Sequence, residues 1–253
     1  IVDTLLNNTN VTGLIPGTYI FRWSISNANC TPSTSEVTIN NYNLPDISNA
    51  GSDQSFCKSL TSTTLNGNNP TSGTGQWTQI TGPNTAIIAN PNNFTTSISG
   101  LVMGLYTFKW TISNGVCTPS TSQVNVELVN CIPVAVNDTN STLENTPVWG
   151  NLLPNDSDPD GDTLEVTSFI INGVSYPVGS SQIIPNIGTI IIYGDGSYLF
   201  APKNNWSGTV PNIPYTIIDG YGGTATAELI LTVIPVPHYI DLSVTKLLTY
   251  PDP

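Results

Sequence analysis

GLIPGTYIFRWSISNANCTPSTSEV, residues 13–37, comes back as GLVMGLYTFKWTISNGVCTPSTSQV, residues 100–124. Gly13 matches Gly100, Trp23 matches Trp110 and Cys30 matches Cys117, always 87 positions apart (100 − 13 = 117 − 30 = 87) and without a gap. At least half of the positions are identical, and most of the others are conservative exchanges. A period of that length is too long for a solenoid unit and fits one small β-sandwich per repeat. Inside the repeat, Tyr19, Phe21, Trp23 and Ile25 alternate with Ile20, Arg22 and Ser24. Period two with aromatic residues predicts a strand with one buried face. A turn ending in Cys30 or Cys117 follows, then a second alternating strand around Val37 or Val124. The pair predicts the last hairpin of a sandwich, with Trp23 and Trp110 packed into its core.

Composition narrows the class. The 253 residues carry 17 acidic and 5 basic side chains, a formal charge of -12. Five scattered bases form no cationic patch, which argues against nucleic acid and anionic membranes as partners. The 21 Gly and 20 Pro interrupt the chain too often for long helices. No run of roughly 18 apolar residues is present to span a bilayer, and the chain opens without a basic and apolar leader. The expectation is an acidic, all-β, extracellular protein.

The second repeat is complete over residues 44–131, whereas residues 1–43 hold only the C-terminal half of a first one, so the sequence reads as a slice that starts inside a domain. A different domain is expected over 132–236. Its strands are predicted at 134–136, 148–152, 164–171, 189–193, 198–201, 214–218 and 224–233, with turns at Asn172-Gly173, Gly194-Asp195-Gly196 and Asp219-Gly220. Residues 237–253 read as a linker and the start of a further β-domain, after the stiff Pro235 and Pro237.

These stretches carry a family resemblance. DISNAGSDQSFC, TGQWTQITGP and GLYTFKWTISNGVC in the second repeat resemble the PKD-like, immunoglobulin-like repeats of large bacterial surface proteins. PVAVNDTNSTLENTPV, LLPNDSDPDGDTLEV, GDGSYLFAPKNNWSG and YTIIDGYGGTATAELILTV resemble the cadherin-like tandem repeats of bacterial adhesins, and DLSVTK is similar to the opening of another surface repeat. The fold class this implies is all-β, with tandem immunoglobulin-like and cadherin-like β-sandwiches in a linear rod. The function it implies is a structural stalk segment of a large secreted or cell-surface adhesin, rigidified by calcium and disulfides and without catalysis. Its partners would be other repeats of the same polypeptide, and beyond them surface glycans or proteins, or like chains in a fibre. Two other classes stay open. One is a glycan- or protein-binding module, and the other is a set of accessory domains of an extracellular hydrolase.

Four cysteines are present. In a Greek-key sandwich the start of the chain and the last hairpin loop share a pole, which predicts a disulfide between Cys57 and Cys117. Cys131 then lies at the opposite pole, unpaired, and Cys30 would bond only upstream of Ile1. The alternative is four buried thiols in a reducing compartment.

The acids concentrate in Asp156-Ser157-Asp158-Pro159-Asp160-Gly161-Asp162. Four carboxylates at alternate positions repel unless a cation sits among them, and Ca²⁺ takes six to eight oxygens in flexible geometry. The run imitates an EF-hand loop, but its twelfth position is Thr167 and no helices flank it, so an EF-hand is rejected. In a cadherin-like sandwich this loop, Asp219 and the Asn137-Asp138 pair fall at one pole, where such proteins bind calcium between modules. The expected ligands are Asp138, Asp156, Asp158, Asp160, Asp162 and Asp219, with Glu144 a separate candidate at the other end. The other reading is a solvated acidic turn. The sole histidine, His238, stands in the Pro-rich linker and brings no Ser-His-Asp or Cys-His arrangement with it. Of Trp149 and Trp206, Trp206 in Asn-Asn-Trp-Ser-Gly is the better candidate for an exposed aromatic that could stack on a sugar, with core packing as the other reading.

Overall fold

A computed structural model describes residues 1–237. The predicted linker and strand at 238–253, with His238, lie outside the described residues. Among the described residues there is no helix, and therefore none long and apolar enough to cross a membrane. The chain divides into two compact units, Ile1–Val129 and a second from Asn130 onward.

The first unit opens with the hairpin β1 (Gly17–Ile25) and β2 (Ser33–Asn41). Then come β3 (Gln54–Cys57), β4 (Ser62–Asn66), β5 (Thr74–Thr81), β6 (Ile87–Ile88), β7 (Thr95–Ser99), β8 (Gly104–Ser113) and β9 (Ser120–Val129). These last seven form a sandwich. One sheet has the order β3-β9-β8-β5 and the other β4-β7-β6, with β3 running parallel to β9. The alternation read from the repeat is realised in β8, where Tyr106, Phe108, Trp110 and Ile112 are fully buried. They face Leu65 and Ile98 of the second sheet, while Trp77 of β5 sets its ring 5.0 Å from that of Trp110. Close packing there leaves no room for a side chain at Gly75, whose Cβ would overlap the Trp110 ring.

The first repeat behaves differently. Its hairpin forms with the register of the second copy, Tyr19 opposite Ile39 as Tyr106 is opposite Val126. Yet Trp23 is 39% exposed and Ile25 61% exposed, where Trp110 and Ile112 are at 0%. The expectation that Trp23 packs in a core is therefore corrected: the strand pattern is present, but among the described residues no second sheet covers it.

The second unit contains β10 (Asp138–Leu143), β11 (Val148–Asn151), β12 (Glu165–Ile171), β13 (Val174–Pro177), β14 (Gln182–Ile184), β15 (Gly188–Ile192), β16 (Ser197–Pro202), β17 (Gly208–Thr209), β18 (Ile213–Ile218) and β19 (Thr224–Ile234). One sheet has the order β10-β19-β18-β12-β13, with β17 also on β19, and the other is β11-β16-β15-β14. The two-residue turn between β12 and β13 places Asn172 at φ 50° and Gly173 at φ 80°, the doubly left-handed turn that closes a hairpin. The core gathers Phe169, Tyr198, Phe200, Tyr215, Ile217 and Leu229 from both sheets. The first strand is not at 134–136, where Val134 makes only an isolated bridge to Ser157. It is β10, whose polar Asp-Thr-Asn-Ser-Thr-Leu sequence pairs in parallel with β19.

The cysteines depart from expectation. The disulfide-bonded residues are Cys57 and Cys131, while Cys30 and Cys117 are free thiols. Strand direction explains the correction. Because β3 is parallel to β9, Cys57 lies opposite Val129 at the far end of β9, and the Lys58 N–H donates to the Val129 carbonyl at 2.7 Å. Cys131 follows two residues later. Cys117 belongs to the β8–β9 turn, at the other end of the same strand, where its thiol meets the Asn43 carbonyl at 3.5 Å.

Candidate metal site

The acidic run folds as the connection between β11 and β12, a polar segment whose turns are set by its own side chains. Asp158 Oδ1 accepts the backbone N–H of Asp160 at 2.7 Å and that of Asp162 at 3.4 Å, and Gly161 takes a left-handed φ of 76°. That turn uses one carboxylate oxygen. The other, Asp158 Oδ2, is buried and accepts no hydrogen bond.

The β18–β19 turn brings in Asp219, which is 2% exposed. Its Oδ1 accepts the N–H groups of Tyr221 at 2.7 Å and Gly223 at 3.0 Å, and its Oδ2 accepts the Asn130 side-chain amide at 2.6 Å. Burial pushes this carboxyl up, but the Asn130 amide and the two backbone donors outweigh it and hold Asp219 below the usual carboxylate range. Asp219 is thus an anion kept inside the protein. One ligand oxygen from each of Asp158, Asp162 and Asp219 lies within 4.8 Å of the others. The Asn130 side-chain oxygen is buried and without a hydrogen bond. Asp160 turns its Oδ2 to the Cys131 N–H at 2.7 Å.

The six expected ligands do not converge. Asp138 and Asp156 form a second constellation around the buried Tyr215. Its hydroxyl donates to Asp138 Oδ2 at 2.8 Å and has Asp156 Oδ2 at 3.3 Å, while Asp156 Oδ1 accepts the Val136 N–H at 2.7 Å. Burial raises both carboxyls above their ordinary range. The Tyr215 hydrogen bond opposes this at each, and at Asp138 the neighbouring Asp156 adds to the rise. Tyr215 itself is pushed up, by burial first and then by Asp138. Glu144 is buried, and its Oε1 accepts the Val236 N–H at 3.0 Å. Asn130, which sequence reasoning passed over, joins the cluster through a polar residue just before Cys131; nothing in its local pattern marks it.

Three oxygen-bearing carboxylates, one of them with a buried oxygen left over, make a hard anionic donor set. Such a set suits a divalent cation of the calcium type and not a soft metal. Trp206, the candidate sugar-stacking residue, is partly buried against the core, whereas Trp149 on β11 is the exposed tryptophan of this unit.

Comparison with known proteins agrees with this division. The family described as a bacterial cadherin-like domain matches residues 130–235. The family described as the K319L-like PKD domain matches residues 50–128. Residues 50–128 are thus similar to a PKD domain and residues 130–235 to a bacterial cadherin-like domain. Among characterised proteins it is similar to the dyslexia-associated protein KIAA0319-like protein of Mus musculus, 30% identical over 129 residues, which are 47% of this chain and 12% of the relative. The chain thus matches about an eighth of that relative's length. Among solved structures, the PKD domain from the KIAA 1837 protein is 28% identical, covering 33% of this chain and 85% of that one with a TM-score of 0.30. Immunoglobulin domains 1–5 of Sidekick-1 are 13% identical, covering 90% of this chain and 47% of that one with a TM-score of 0.38.

Proposed function

We propose that this chain is a structural segment of an extracellular, adhesion-type repeat protein of the bacterial surface kind, and that its cadherin-like unit holds Ca²⁺ through Asp158, Asp162 and Asp219. The observation that carries the reading is the buried Asp158 Oδ2, which accepts no hydrogen bond and belongs to the group of three carboxylates within 4.8 Å. The bound ion would supply charge neutralisation and oxygen coordination. The protein's own part is to aim the ligands. The Asx turn at Asp158 frees one oxygen, and the amides of Asn130, Tyr221 and Gly223 keep Asp219 ionised. The Cys57 and Cys131 disulfide supports an oxidising, extracellular setting. Neighbouring repeats of the same polypeptide are its partners, and surface glycans, proteins or like chains lie beyond them. The reading includes no catalytic role, because the sequence holds a single histidine, His238, and a Ser-His-Asp or Cys-His arrangement would have to use it.

Calcium titration by calorimetry tests the site. The unmodified chain should bind Ca²⁺, Asp162→Ala should weaken binding at least tenfold, and Asp195→Ala, in the β15–β16 turn, should leave it unchanged. Equal heats with and without calcium would reduce the run to a solvated turn.

A further inference from the structure

We propose that the Cys57–Cys131 disulfide sets the calcium affinity of the Asp158, Asp162 and Asp219 cluster, acting through the adjacent residue Asn130. The inference rests on the calcium reading above and adds a redox control to it. Residues 130 and 131 touch both loops that carry the ligands. The Asn130 side-chain amide donates to Asp219 Oδ2 at 2.6 Å, on the β18–β19 turn. The Cys131 N–H donates to Asp160 Oδ2 at 2.7 Å, on the β11–β12 connection. Asp160 stands between the two ligands of the acidic turn, and its own N–H is bonded to Asp158 Oδ1 at 2.7 Å. Two consecutive residues therefore orient one ligand directly and steady the turn that presents the other two.

The disulfide fixes this stretch where no ladder does. Strand β9 ends at Val129, opposite Cys57, and strand pairing resumes only with β10 at Asp138. Between them Val134 makes an isolated bridge to Ser157. Asn130 is held on one side by the Lys58 N–H on the Val129 carbonyl at 2.7 Å, and on the other by the bond from Cys57 to Cys131. Calcium affinity depends on how rigidly the ligand oxygens are held. Loss of a group that orients a ligand typically costs about 10–100-fold in metal affinity. Opening the disulfide releases Asn130 and so loosens its grip on Asp219. The reductant for that step is a dithiol. One of its thiolates attacks a cystine sulfur to form a mixed disulfide, and its second thiol then displaces the protein sulfur. The dithiol leaves as a cyclic disulfide, and Cys57 and Cys131 gain the two electrons and two protons it gives up. Coupling between two equilibria is reciprocal, so calcium must make the disulfide harder to reduce by the same factor. Cys30 and Cys117, already free thiols, take no part.

The test is calcium titration of the whole chain by calorimetry, oxidised and in excess dithiothreitol. Reduction, or Cys57→Ser without reductant, should weaken binding at least about tenfold. Asn130→Ala keeps the disulfide, so it stays informative even where Cys57→Ser does not fold. It should weaken binding to a similar extent and lose most of the response to reduction. Cys117→Ser should leave both the affinity and the redox response unchanged. The reciprocal arm holds the chain in a dithiol redox buffer and counts freed thiols by alkylation. Saturating calcium should shift the Cys57–Cys131 equilibrium toward the disulfide at least about tenfold. Equal calcium affinity in the oxidised and reduced chains would overturn the proposal and leave the calcium reading standing. A full redox response in Asn130→Ala would overturn it as well. Failure of the oxidised chain to bind calcium would overturn both.

Discussion

Replacing Asp158 with Asn should reverse its effect on stability according to whether calcium is present. The asparagine oxygen can still accept the N–H groups of Asp160 and Asp162, so the turn is kept. What changes is the buried second oxygen, which becomes an NH₂ donor facing the cluster. With ligand oxygens within 4.8 Å, each carboxylate pair repels by about 1 kcal/mol in water, and by more where water is excluded. Asp158 takes part in two such pairs, with Asp162 and with Asp219. In chelator the variant should therefore be the more stable by about 2 kcal/mol, or roughly 8 °C for a domain of this size. In calcium at about 100 times its dissociation constant the unmodified chain gains about 2.7 kcal/mol by mass action. A variant that binds about a hundredfold more weakly gains only about 0.4 kcal/mol. The variant's lead should thus disappear. The assay is a pair of thermal melts, with calcium and with chelator, on both proteins. A variant less stable than the parent by the same amount in both conditions would refute the reasoning, because the carboxylate would then be acting only as a turn residue.

Burial raises Asp138, so the folded unit binds its proton more tightly than the unfolded chain does. Stability from this group therefore falls as pH rises from the ordinary carboxylate range through the raised folded value. Asp138→Asn, which can still accept the Tyr215 hydroxyl, should stabilise the unit at neutral pH and lose that advantage on acidification, as measured by denaturant melts across pH. Alkylation of the native, non-reduced protein should label Cys30 and Cys117 and spare Cys57 and Cys131. Reduction should then cost about 4 kcal/mol, the chain-entropy value for closing 74 residues (131 − 57 = 74); labelling of Cys57 before reduction would contradict the pairing. Gly75→Ala drives a methyl into the Trp110 ring and should destabilise the PKD-like unit by about 1–3 kcal/mol, with a loss of tryptophan near-ultraviolet dichroism.

The repeat made the β8–β9 hairpin legible because alternation of Tyr106, Phe108, Trp110 and Ile112 reports directly on a buried face. The same pattern at Trp23 misled, since periodicity says which side of a strand is apolar and not whether anything covers it. Strand β10 escaped notice for the opposite reason. It sits at a sheet edge with polar residues on both faces, and only its ladder to β19 makes it a strand. The cysteine pairing turned on direction: a parallel β3 sends Cys57 toward the end of β9, and no local signal distinguishes that from the opposite sense. The acidic run was read as one cluster, but alternate aspartates within it serve different neighbours. Asp156 is drawn to Val136 and Tyr215, and Asp158 to the backbone of its own turn. That sorting depends on contacts with Asp219, Asn130 and β18 that are distant in sequence.

The parallel ladder between β10 and β19 also has a mechanical meaning. Its register runs from Asp138 opposite Leu229 to Leu143 opposite Ile234. Tension applied to the chain before β10 and after β19 pulls these neighbours in opposite directions along their length. Every hydrogen bond of the ladder is then loaded in shear at once, and none can give way alone. The antiparallel hairpin of β1 and β2, pulled from its two ends on the same side, would instead open bond by bond like a zip. The cadherin-like unit is thus wired to resist stretching at the strand whose sequence looked least like a strand.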